Sequence, residues 1–147
     1  MGSSNKRAIL KQSYLSSSST FSKINEDSSY FKKKNRLFSI GKKKDFFLNV
    51  ETDMITLENF LKKKNIKNID FLKIDTEGYE YEVLLGLKDR IRDVNLIMFE
   101  HHYDNMISKS YTFGKIHDLL NKSNFVRIFK VKMPFRKTFE YIYKRKV

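Results

Sequence analysis

The chain has 147 residues with 30 Lys and Arg against 17 Asp and Glu, a formal net charge of +13, and a 40% hydrophobic share that supports one packed core and excludes a wholly disordered chain. It contains no cysteine, which excludes disulfides, thiolate metal sites and a cysteine nucleophile and fits a cytoplasmic protein. No apolar run approaches the roughly 18 residues of a membrane span, residues 1–10 lack a signal-peptide core, and Lys6 stands where an N-myristoylation pattern requires Ser or Thr, so no membrane partner is expected.

Residues 1–30 are serine-rich, with Ser16 to Ser19 at their centre and no helical or strand period, and read as a mobile segment ahead of a domain spanning 31–147. Apolar runs at 37–40 and 46–48, separated by Gly41 and Lys42-Lys43-Lys44, predict two short strands and a turn. Thr56 is placed to cap a helix carried by Leu57, Phe60 and Leu61. An apolar run over 69–75 predicts a strand that stops at Thr76-Glu77-Gly78, and Tyr79, Val83, Leu84 and Leu87 then fall at helical spacing. The same order follows once more: a strand over 95–100, a polar loop over 101–109, and a helix marked by Phe113, Ile116, Leu119 and Leu120. Strands alternating with helices imply an α/β fold with a parallel sheet. The link between the strand-like stretches 125–131 and 139–143 is too short for a crossover helix, so these should close the sheet as an antiparallel hairpin.

In an open parallel sheet, ligands bind beyond the carboxyl ends of the strands. Asp75, Glu77 and Gly78 follow the first parallel strand, and Glu100, His101 and His102 follow the second, so adjacent strand tips gather three carboxylates and two imidazoles. Structural roles compete with this one. Asp75 and Glu77 suit a helix cap, Glu100 suits an ion pair with a lysine, and His101 and His102 suit a plain loop. Asp75, Glu77, Glu100 and His101 also offer donors to a divalent ion, but their spacing is not diagnostic and no metal is assigned. His117 reads as a surface histidine.

The stretch Leu72-Lys73-Ile74-Asp75-Thr76-Glu77-Gly78, followed by Val83-Leu84-Leu85-Gly86, resembles the characteristic segment of FkbM-type methyltransferases. Upstream, Thr56-Leu57-Glu58-Asn59-Phe60-Leu61 is similar to the helix preceding that segment, with Glu58 where Asp is more usual. Downstream, Ile97 to Asp104 resembles the family's next strand and Lys132 to Thr138 an ending found in some members, so the likeness covers roughly 50–143. It implies a Rossmann-like fold and transfer of a methyl group from S-adenosylmethionine to a hydroxyl of a sugar or secondary metabolite, that is, a small-molecule or glycan acceptor. It further implies Asp75, Glu77, Glu100 and His101 as catalytic candidates, with Asp75 or His101 as the base, and Asp75 and Gly78 beside the cofactor.

The family's glycine-rich cofactor loop and the acidic residue that follows its second strand are not found, since Gly2, Gly41, Gly78, Gly86 and Gly114 are scattered and Glu26-Asp27 follows no strand. By this resemblance the chain matches the carboxyl-terminal portion of the family domain, a partial Rossmann-like sheet in a fragment or inactive remnant. Its 69–75 strand would then present an unpaired edge, to be covered by the N-terminal segments, a homodimer or a partner chain. The competing reading from the +13 charge is a basic, non-catalytic module binding nucleic acid or another anionic partner; lysines in turns and at a helix end make nucleic acid the weaker choice.

Overall fold

The computed structural model describes residues 1–13, 19–38, 47–134 and 136–146. In chain order they form β1 (Lys6–Ser13), β2 (Lys23–Ile24), α1 (Ser29–Phe38), β3 (Phe47–Met54), α2 (Leu57–Lys63), β4 (Ile69–Ile74), α3 (Glu80–Leu85), a 3-10 turn at Lys88–Asp93, β5 (Val94–His102), β6 (Ile107–Ser108), α4 (Phe113–Lys122), β7 (Phe125–Lys132) and β8 (Thr138–Arg145).

The main sheet has the order β4-β5-β8-β7, with β4 and β5 parallel and both other pairings antiparallel. This is the expected mixture: one parallel pair joined through a helix, then a hairpin that inserts β8 between β5 and β7. Register fixes the two faces. Ile74 lies beside Phe99, and Phe99 and Ile97 lie beside Tyr141 and Tyr143, so these side chains share one face. Against them pack Leu57 and Leu61 of α2, Val83 and Leu84 of α3, and Ile116 and Leu120 of α4, forming the principal core. The rings of Phe99 and Tyr141 stack at 5.5 Å between centroids.

Alternate residues point to the opposite face, where Phe71, Val126, Phe129 and Val131 are 52%, 41%, 49% and 39% exposed. The helices named above therefore cover one face of the sheet only.

α2 forms as its residues predict. The Thr56 hydroxyl oxygen accepts a hydrogen bond from the Asn59 amide at 3.1 Å, and Leu57 and Leu61 are buried. Glu58 takes bonds from Lys62 and Lys88, which hold its carboxyl at about 2.

The amino-terminal part differs from the sequence expectation. Residues 6–13 show no strand period, yet they form β1, paired over its full length with β3. Most residues of this ribbon are exposed or half-buried, so no buried face imposes an alternation that the sequence would record. Leu37 and Phe38 end α1 instead of opening a strand; that helix starts where the Ser28 hydroxyl accepts the Phe31 amide at 3.1 Å. The rest of the expected turn, 39–46, lies outside the described residues, as do Ser16 to Ser18. β1 and β3 pair with each other and not with β4, so among the described residues the outer edge of β4 has no strand beside it.

An exposed edge carrying Phe71 favours strand addition between copies. Phe71→Lys is expected to reduce concentration-dependent self-association in light scattering while leaving the far-ultraviolet circular dichroism spectrum unchanged.

Candidate functional site

The parallel pairing of Ile74 with Phe99 places the next residues, Asp75 and Glu100, side by side at the carboxyl ends of β4 and β5. Beyond Asp75 the chain turns through Glu77 and Gly78, both with positive φ, at 50° and 91°. Glycine meets two needs here: it adopts this conformation without strain, and an added Cβ would stand 2.4 Å from Ile107 Cγ2.

The turn is held chiefly by Glu80, which has no exposed surface. One carboxylate oxygen accepts from the Gly78 amide at 2.9 Å, the Thr76 amide at 3.3 Å and the Thr76 hydroxyl at 3.2 Å. The other accepts from the Tyr111 hydroxyl, whose own ionisation is pushed far up by burial and by the Glu80 charge. From the amino-terminal segment, the Thr20 hydroxyl donates to the Glu77 carbonyl at 2.7 Å and the Ser22 hydroxyl to the Gly78 carbonyl at 2.8 Å. The α3 N-cap is Tyr79, without a side-chain cap, so the carboxylate reaching back over the turn belongs to Glu80 and not to Asp75 or Glu77.

Asp75 is exposed, with Lys73 Nζ 3.5 Å from its carboxylate. Glu100 is buried to 7% exposure, and among the described residues no cation lies within ion-pairing distance of it. Burial raises its carboxyl above the usual range, and the negative charges of Asp75 and Glu140 add to the effect.

The two histidines part company because successive strand residues point to opposite faces. His102 shares the face of Glu100. Its Nε2 lies 3.2 Å from the Glu77 carboxylate, its Nδ1 3.0 Å from the Thr138 hydroxyl and 3.8 Å from the Asp104 carboxylate. Burial alone would lower its pKa, but the nearby carboxylates of Asp104, Glu77 and Glu80 outweigh burial and raise it. His101 projects into the aromatic core, with its ring near those of Tyr103, Tyr111 and Phe113. Burial, reinforced by Lys109 and His102, lowers it to about 4. Both histidines belong to β5 itself and not to the loop after it. Lys109 donates to the His102 carbonyl.

The structure thus brings Asp75, Glu77 and Glu100 together with His102 and leaves His101 on the other face. Gly78 is buried beneath Ser22 and Ile107. His117 bonds to the Tyr143 hydroxyl at 2.8 Å as a packing residue of α4. Among the described residues no three His, Asp or Glu side chains converge to hold a metal ion. Glu80, Tyr111, Thr20 and Ser22 were not singled out by spacing. The one available signal was an acid two residues beyond a glycine turn, and helical spacing assigns that position to solvent.

Beyond the tip of β5 lies a groove of about 600 Å³ lined by Asn25, Asp27, Ser28, Ser29, Lys33, Tyr103, Asp104, Asn105 and Lys137. Hydroxyl, amide and charged groups dominate its wall, and Asp104 connects it to His102.

A family model described as Methyltransferase FkbM domain matches residues 3–127. The match begins well before the residues that carry the resemblance in sequence and takes in β1, β2 and α1. No curated protein and no solved structure matches the chain.

Glu80→Ala removes the acceptor for two amides and two hydroxyls, and is expected to destabilise the fold by about 2–4 kcal/mol in denaturant unfolding, with Tyr111→Phe costing less. For His102, a folded pKa above the 6.5 reference means that its stabilising contribution is complete below that value and is lost as pH rises through the raised one. Thermal melts at increasing pH should show this loss in the unsubstituted chain, and His102→Gln should remove it.

Proposed function

The chain belongs to the FkbM methyltransferase family, and on that premise we propose that it transfers a methyl group from S-adenosylmethionine to a hydroxyl of a sugar or secondary metabolite. The observation that carries this reading is the cluster of Asp75, Glu77 and Glu100 at the open end of the parallel pair in a chain of net charge +13, next to a groove walled by hydroxyl and amide groups. The parallel β4-β5 pair followed by β8 inserted antiparallel supports a Rossmann-like context.

The donor set suits the cationic end of S-adenosylmethionine, because Asp75 offers a carboxylate to its positive charge. Gly78 offers no open cradle, since Ile107 and Ser22 fill the space above it. When bound, the cofactor supplies an electrophilic methyl group.

Glu100 is the proton acceptor in this reading. A carboxylate whose pKa is raised by burial and by its acidic neighbours is a stronger base than an exposed one, and takes the hydroxyl proton onto a carboxylate oxygen as the acceptor oxygen attacks. His102, held between Glu77 and Asp104, fixes the second wall. His101, lowered to about 4 and enclosed by aromatic rings, has no access to the same oxygen.

The basic-module reading is not favoured. Lys62 and Lys88 are engaged by Glu58, Lys73 by Asp75 and Lys32 by Asp27, so several of the lysines that it would need already have protein partners.

Calorimetric titration of S-adenosylmethionine tests the proposal: specific binding weakened at least about tenfold by Asp75→Asn supports it, and no binding by a folded chain defeats it. With an acceptor found by screening sugars, Glu100→Gln should cut turnover by about 10²- to 10⁴-fold. The same variant should raise the melting temperature at neutral pH, because the cost of the raised carboxyl accrues as pH climbs past the unfolded value of 4.5 and is complete above the raised one.

A further inference from the structure

We propose that the groove beyond β5 binds a phosphate group of the acceptor, held between the ammonium groups of Lys33 and Lys137. This rests on the methyltransferase reading only for the word acceptor; the phosphate site itself follows from how charge is distributed in the groove.

Four charged side chains line it, two acidic and two basic, and they are not equally available. Asp27 is paired with Lys32 at 3.4 Å, and its amide donates to Asn25 Oδ1 at 3.1 Å. Asp104 faces His102 and accepts the Met106 amide at 3.0 Å, contacts that hold its carboxyl below the usual range in spite of burial. Lys33 and Lys137 are exposed, and among the described residues no carboxylate lies within ion-pairing distance of either. Asp27 is shared with Lys32 and Asp104 is turned toward His102, so the two ammonium groups are the charges of the groove left without a partner among the described residues.

The remaining wall supplies neutral donors. The Ser28 hydroxyl oxygen accepts the Phe31 amide, which leaves its proton to donate outward, and Ser29 and Asn105 add a hydroxyl and an amide. Two cations flanked by neutral donors match the three acceptor oxygens of a phosphate better than they match a neutral sugar.

Position ties this groove to the strand tips. Lys137 is anchored where its carbonyl accepts the Tyr103 amide at 2.7 Å, and Asp104 of the groove wall is also a partner of His102.

The test needs no methyl donor. Inorganic phosphate and glucose 6-phosphate are titrated calorimetrically into the full chain, into Lys33→Ala/Lys137→Ala and into Lys63→Ala/Lys122→Ala, which removes equal charge elsewhere, with glucose as the neutral probe. The expected result is binding of both phosphates at about millimolar Kd, weakened at least tenfold in the first variant, unchanged in the second, and not seen with glucose. Absence of phosphate binding, equal binding by all three proteins, or equal loss in both variants overturns the proposal. Phosphate binding lost with Lys33 and Lys137 in a chain that takes no S-adenosylmethionine supports the groove and counts against the methyltransferase reading instead.

Discussion

The carboxylate of Glu80 is the contact on which the site depends. It is fully buried, and it is accommodated only because the Thr76 and Gly78 amides and the Thr76 and Tyr111 hydroxyls all donate to it. Those donors are the turn itself and the residue just ahead of α4. The shape of the turn, the start of α3 and the approach of α4 are therefore fixed by one charged group, and Asp75 and Glu77 take their directions from the backbone that it holds.

The second constraint is the pleat of β5. Two adjacent histidines end on opposite sides of the sheet, one among carboxylates and one among aromatic rings, and their pKa values are driven in opposite directions. Neighbouring in sequence does not make them alternatives for one role. The choice between them depends on the parity of a strand that runs two residues further than its apolar run suggests.

The central part of the fold was legible because burial leaves a period. Leu57 and Leu61, Leu72 and Ile74 of the 69–75 run, and Ile116 and Leu120 all face the core, and each lies in the element its spacing predicts. β1 and β3 form an exposed ribbon that leaves no such trace. The acids at the strand tips were found by place, since the carboxyl end of a parallel strand is where a site is sought. Glu80 was not, because its spacing in a short helix is that of a solvent-facing residue, and its burial is decided by Tyr111 arriving from a distant part of the chain.

The hydroxyl bonds from Thr20 and Ser22 to the turn carry a further consequence. They join residues 57 and 56 positions apart. Contacts of such separation close late, since the entropy of a long loop must be met before they form. During synthesis the amino-terminal segment emerges first and waits for the turn that it will brace. The strand tips therefore acquire their final geometry only after β4 and α3 have left the ribosome, and a chain arrested before residue 77 holds half of each brace with nothing to close upon.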